Sequence, residues 1–177
     1  MFMEPPTLIA ACNLQSNESV ADFGAGSGFF ARAVAKQVPH GNVFAVEINR
    51  DIVARLTREV AEMHTTNIHP LWGDIEVVGG SKLGAASMDM VIISNTLFHL
   101  EDKDGCMREV KRVLKPEGRL LILDWTESFG GMGPRPQAVV NKEAASALAN
   151  RFGFTVINDK LPGGEHHYAI LFRNTVV

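Results

Sequence analysis

Residues 19–30 read SVADFGAGSGFF, and no other stretch restricts the fold as strongly. Val20, Ala21 and Phe23 are short, apolar or β-prone and predict the end of a buried strand. Gly24, Gly26 and Gly28 follow at every second position, and 29–38 then carries a helical period. Strand, glycine turn and helix in succession hold a polar or anionic group against backbone N–H groups at a helix N-terminus. Glycine suits the turn because it accepts positive φ and lets a ligand lie directly on the backbone.

The rest of the chain alternates in the same way. A proline-started helix is expected over 6–13, across the approach to the glycine loop. Residues 42–47 (NVFAVE) form a second strand, almost wholly apolar as a strand covered on both faces should be. Asn49 caps a helix to about residue 63, with Ile52, Leu56, Val60 and Met63 on one face. A third strand over 67–72 leads to Gly73-Asp74-Ile75, and 76–87 reads as loop or short helix. The fourth strand covers 88–94, followed by Asn95 to Leu100 (NTLFHL) and a helix over 101–114. In that helix Met107, Val110, Val113 and Leu114 make the buried stripe, and Arg108, Lys111, Arg112 and Lys115 a solvated face. A turn over 115–118, a fifth strand over 119–124 and a loop over 125–140 follow. The chain ends in a helix over 141–152 and two short strands, 154–158 and 168–173, whose hairpin-like link brings one into the sheet antiparallel.

The glycine spacing departs from a dinucleotide fingerprint, in which the third glycine comes three residues after the second. That position is Phe29, and the third glycine comes early, at Gly28. Asp22 stands two residues before Gly24, and acid-x-Gly-x-Gly-x-Gly after a first strand resembles the first motif of class I S-adenosylmethionine (SAM) dependent methyltransferases. Glu47 at the end of the second strand, Asp74 after the third and NTLFHL after the fourth resemble three further motifs of that family. The block VKRVLKPEGRLLILD resembles its helix–turn–strand scaffold, and the likeness runs from about Leu8 to the C-terminus. The resemblance implies a single domain over 1–177 with an α/β, three-layer fold. Its sheet would be seven-stranded and mostly parallel, in order 3-2-1-4-5-7-6, with the last strand antiparallel.

The resemblance also implies SAM as cofactor, S-adenosylhomocysteine as product, and a set of roles. Gly24, Ala25, Gly26, Ser27 and Gly28 would hold the methionine moiety, with Asp22 near its ammonium. Glu47 would accept both ribose hydroxyls, since two adjacent O–H donors match the two oxygens of one carboxylate. Ile48 would lie on an adenine face, Asp74 and Ile75 would meet the adenine, and Ser94 and Asn95 would supply backbone at the sulfonium end. His99, just past the fourth strand, is the candidate general base, with Asp124 and Glu127 weaker ones. No residues have metal-ligand spacing. His166 and His167 adjoin in a strand, so their side chains point to opposite faces.

Composition narrows the partners. A formal net charge of -3 in 177 residues argues against nucleic acid as a partner. There is no basic leader, no run long enough to span a membrane, and only Cys12 and Cys106, which read as buried thiols of a cytoplasmic protein. The fourth motif resembles the branch acting on small metabolites, so a small-molecule acceptor is expected. Without an inserted cap, the site is either open to a larger acceptor or closed by the N-terminal segment, the 125–140 loop or a second subunit in a homodimer. A non-catalytic SAM-binding protein is the alternative. A nicotinamide-dependent oxidoreductase is opposed by the early Gly28 and by the lack of a Tyr-x-x-x-Lys pair at the single tyrosine, Tyr168.

Overall fold

The strands lie in the order β3-β2-β1-β4-β5-β7-β6 in the computed structural model, which describes residues 4–175. They are β1 (Ser19–Phe23), β2 (Asn42–Glu47), β3 (Ile68–Trp72), β4 (Met88–Ser94), β5 (Leu114–Trp125), β6 (Phe154–Asn158) and β7 (His167–Asn174). The helices are α1 (Pro5–Ala11), α2 (Phe29–Gln37), α3 (Arg50–Glu62), α4 (Lys103–Val113) and α5 (Lys142–Arg151). The pairs among β1 to β5 are parallel, and β7 runs antiparallel to both β5 and β6. This is the expected sheet. Short crossover connections put helices on both faces, which is why β1, β4 and β5 are buried almost end to end.

Alternation along each strand sorts the core into two faces. Ala21, Phe23, Val91, Ile93, Leu120, Ile122, Ile170 and Phe172 pack on α4 and α5. Val20, Met90, Ile92, Leu121, Leu123, Ala169 and Leu171 pack on α1, α2 and α3. Strand order changes direction between β1 and β4, where the two βαβ halves diverge and open a crevice at the carboxyl ends of the strands.

Several local expectations are corrected. α4 ends at Val113, and Leu114 already pairs with Met88. The expected turn over 115–118 is a bulge inside β5: pairing resumes at Arg119–Met90, so four residues of β5 (115–118) stand against one of β4, Asp89. Met63 is 53 % exposed at the end of α3, so that helix buries only Leu56 and Val60 fully. The basic residues of the α4 region are tied into the fold more than solvated. Arg112 bonds Glu109 and the Leu83 carbonyl, Lys111 the Thr175 carbonyl and Lys115 the Asp89 carboxylate. Both cysteines are free and buried. Among the described residues no helix is long and apolar enough to cross a membrane.

Candidate functional site

Two cavities meet over the glycine loop. One, of about 360 Å³, is lined by Asp22, Gly24, Ala25, Gly26 and Ser27, by Ser94 and Asn95, and by residues not expected in the site: Pro5, Phe29, Phe30, Leu123 and His167. The other, of about 440 Å³, is lined by Glu47, Ile48, Asn49 and Ile52, by Asp74, Ile75 and Glu76, and by Asn95, Thr96, His99 and Leu100. Gly24, Gly26 and Asn95 border both, so the two halves form one bent crevice at the β1/β4 divergence. Of the expected cofactor-binding residues, only Gly28 lines neither half.

The loop is shaped by its own hydrogen bonds. The N–H groups of Gly24 and Ala25 donate to the Val46 carbonyl at 2.9 and 3.1 Å, and that of Gly28 donates to the Ala25 carbonyl at 2.8 Å. The Gly26 N–H donates to Glu47 Oε2 at 3.1 Å. Four of the amides expected to face a ligand are therefore engaged within the protein, and the loop offers a bare surface more than a row of donors. Gly24 has φ +77, and a Cβ there would stand 2.6 Å from Thr96 Oγ1. Gly26 has φ +50, yet a Cβ there would meet nothing nearer than a backbone oxygen at 4.0 Å, so the space above it is open.

Two carboxylates line the crevice, Asp22 in one half and Glu47 in the other. Glu47 is fixed at the end of β2 by the Gly26 N–H and, through Oε1, by the Asn49 N–H at 2.9 Å. Each oxygen keeps lone-pair capacity for a further donor. Asp22 is 2 % exposed, and its Oδ2 has no hydrogen-bond partner among the described residues. Burial pushes its carboxyl up to about 7, against the Ala31 backbone N–H, which lowers it, and with the charge of Glu47, which adds to the rise. A buried carboxyl with an orphaned oxygen beside a cavity is a receptor for a cationic donor.

The remaining expected residues divide by role. Asp74 Oδ1 accepts the Glu76 N–H at 2.9 Å in a turn, and Ile48 stands 59 % exposed at the lip of its cavity. Asn95 adopts φ 51, held by its N–H to the Leu123 carbonyl at 2.8 Å. His99 closes a 3-10 turn over Leu97–His99, lies against Phe98 with ring centroids 3.9 Å apart, and faces the half that contains Glu47 and Asp74. Asp124 and Glu127 line neither half. Asp124 is fully buried and accepts the Leu97 and Trp125 N–H groups, and burial raises its pKa to about 6 against those bonds. Glu127 bonds His166, whose ring stacks on Phe129. No lining residue of either half comes from 126–140, whereas α1 contributes Pro5. Among the described residues no His, Cys, Asp or Glu cluster could hold a metal ion.

Leu123 and His167 were not expected at the site, because no local signal carries them there. Their place depends on register: Ser94 pairs with Leu123, Leu123 with Ala169 and Trp125 with His167, which sets side chains from three strands on one face.

A family model described as a methyltransferase domain matches residues 14–159. The methyltransferase str2 of Strobilurus tenacellus is 29% identical over 152 residues, covering 81% of this chain and 52% of its own. The ubiquinone/menaquinone biosynthesis C-methyltransferase UbiE of Pasteurella multocida is 31% identical over 154 residues, covering 85% of this chain and 54% of its own. The chain thus spans about half the length of the curated relatives it matches. A crystal structure of a SAM dependent methyltransferase from Aquifex aeolicus superposes with a TM-score of 0.88 at 22% identity, covering 98% of this chain and 91% of that one, and shares the fold. With the family model covering most of its length, the chain belongs to the methyltransferase domain family.

Proposed function

We propose that the protein binds SAM along the bent crevice and transfers the methyl group to a small-molecule acceptor. The observation that carries this reading is the pair of carboxylates, one in each half. Asp22 offers to an ammonium a buried oxygen without a hydrogen-bond partner among the described residues, and Glu47 offers a backbone-anchored carboxylate to a vicinal diol. The open space over Gly26, where a Cβ would meet no close neighbour, suits a ligand crossing between the halves.

When bound, SAM supplies a methyl group on a sulfonium, already a good leaving group. The chain's own contribution is then placement. Glu47 holds the ribose, Ile48, Asp74 and Ile75 border the adenine, and Asp22 takes the ammonium beside the glycine loop. Ser94 and Asn95 flank the sulfonium end, where the two halves join. Alignment of two reactants for in-line displacement contributes about 7–11 kcal/mol. A cavity of about 360 Å³ favours a small acceptor, and the net charge of -3 disfavours nucleic acid.

Calorimetric titration with SAM, S-adenosylhomocysteine and NADH tests the reading. Micromolar binding of both adenosyl ligands with none of NADH is expected, and binding of NADH alone would overturn it. Glu47→Ala is expected to weaken SAM at least tenfold, about 1.4 kcal/mol, with an unchanged circular dichroism spectrum. Unchanged affinity would remove Glu47 from the ribose position.

A further inference from the structure

We propose that the protein has a second ligand site, at the opposite end of the strands from the crevice, which takes a small hydroxy-carboxylate with an apolar body. The inference is independent of the SAM reading.

A cavity of about 690 Å³ opens between the last turns of α4 and α5, the start of β5 and the end of β7. Ser94 and Leu123, which line the crevice, stand toward the carboxyl ends of β4 and β5, whereas Leu114 and Pro116, which line this cavity, begin β5. It shares no lining residue with either half of the crevice. Leu114, Pro116 and Phe152 give it an apolar wall, and Lys111, Arg112 and Arg151 a cationic one.

The charges do not cancel. Arg112 is paired with Glu109, and Arg151 with Asp104. Lys111 has no carboxylate partner among the described residues. One of its N–H groups donates to the Thr175 carbonyl at 2.9 Å, and the ammonium stands 5.3 Å from the centre of the Phe154 ring. Two donors remain on it, and Arg112 Nη1 makes no hydrogen bond among the described residues. Burial lowers the Lys111 pKa, a cost that a bound anion offsets. The helix ends do not compete for these donors. The Arg112 and Val113 carbonyls accept the Ala86 and Ser87 N–H groups, and the Ala149 and Asn150 carbonyls those of Phe152 and Gly153. One uncompensated cation matches one negative charge, which favours a carboxylate over a phosphate dianion.

Asn174 adds the need for a donor. It lines the cavity, is 4 % exposed, and its Nδ2 donates to the Lys115 carbonyl at 2.9 Å. That bond fixes the amide, because the reversed orientation would set oxygen against oxygen. Its Oδ1 has no hydrogen-bond partner among the described residues. A hydroxyl next to the ligand carboxylate supplies the missing donor, while the apolar body lies on Leu114, Pro116 and Phe152.

Titration of the ¹⁵N-labelled protein with mandelate, followed by NMR, tests the site with no SAM present. Mandelate is expected to shift the Asn174 side-chain amide and the Arg112 Nε–H signals. Phenylacetate, which lacks the hydroxyl, and mandelamide, which lacks the charge, are each expected to bind about tenfold more weakly. Lys111→Met is expected to lose about tenfold in mandelate affinity with an unchanged circular dichroism spectrum, and Lys111→Arg to restore it. The proposal is overturned if mandelate moves neither signal, if the three probes bind alike, if inorganic phosphate binds more tightly than mandelate, or if a folded Lys111→Met binds mandelate as the wild type does. The comparison of probes needs no variant, so it decides the matter even where Lys111→Met does not fold.

Discussion

Charge on Asp22 is costly in the free protein, because the carboxyl is buried and one oxygen has no partner among the described residues. Its folded pKa of about 7 lies above the ordinary 3.8, so the folded state holds the extra proton between these values. Stability from this group therefore falls as pH rises from about 4 to about 7 and is flat above. A bound ammonium favours the carboxylate, so SAM binding should tighten over the same window. Asp22→Asn removes the penalty and the receptor together. At pH 8 it is expected to raise the melting temperature of the free protein, at about 2–4 °C per kcal/mol for a chain of this size, and to weaken SAM at least tenfold. Calorimetric melting and titration of both proteins check this, and a variant that melts lower while binding SAM normally would contradict it.

At the scale of elements, the loop after β3 depends on a residue of α4. Glu109 is fully buried and accepts the Gly79 N–H at 2.7 Å and the Ser81 N–H at 3.2 Å, as well as Ser81 Oγ and the Arg112 guanidinium. Burial opposes its charge, but Arg112 and these hydrogen bonds outweigh it and hold the carboxyl at about 2. The stabilisation is thus complete above the ordinary 4.5 and is lost as pH falls toward about 2. The same loop returns to the crevice, because the Gly80 carbonyl accepts the Asp74 N–H at 3.1 Å. Glu109→Ala strands buried donors and a guanidinium, a change that costs about 3 kcal/mol, or about 10 °C in melting temperature. It should also weaken SAM through Asp74. A melting point within 2 °C of wild type would show that the clamp carries no stability. Lys111, Arg112 and Lys115, read in the sequence as a solvated face, are fastened for a related reason: partners distant in sequence reach them.

For the whole molecule, cooperativity centres on β4 and β5, which are hydrogen-bonded on both sides and covered on both faces. The edges are weaker: β6 exposes Val156 and Ile157, and β3 carries Pro70 and an exposed Trp72. Arg119 fastens the far end of β5 to the segment before β1, through Glu18 and the Cys12 carbonyl. Native-state hydrogen exchange should be slowest in β4 and β5 and fastest in β6; equal protection in β6 would refute this layout. The order of elements was legible in the sequence because apolar period, glycine turns and caps act locally. Asn42–Glu47 and Met88–Ser94 fell on their expected bounds. The acids at the crevice were legible too, because each ends or adjoins a strand at a motif position. Only the tertiary structure decided that most loop amides are already bonded, that His99 faces the half lined by Glu47 and Asp74, and that Leu123 and His167 share a face with Asp22. Those facts follow from register between strands distant in the chain. A one-residue slip would turn each such side chain to the other face, so no local pattern encodes them.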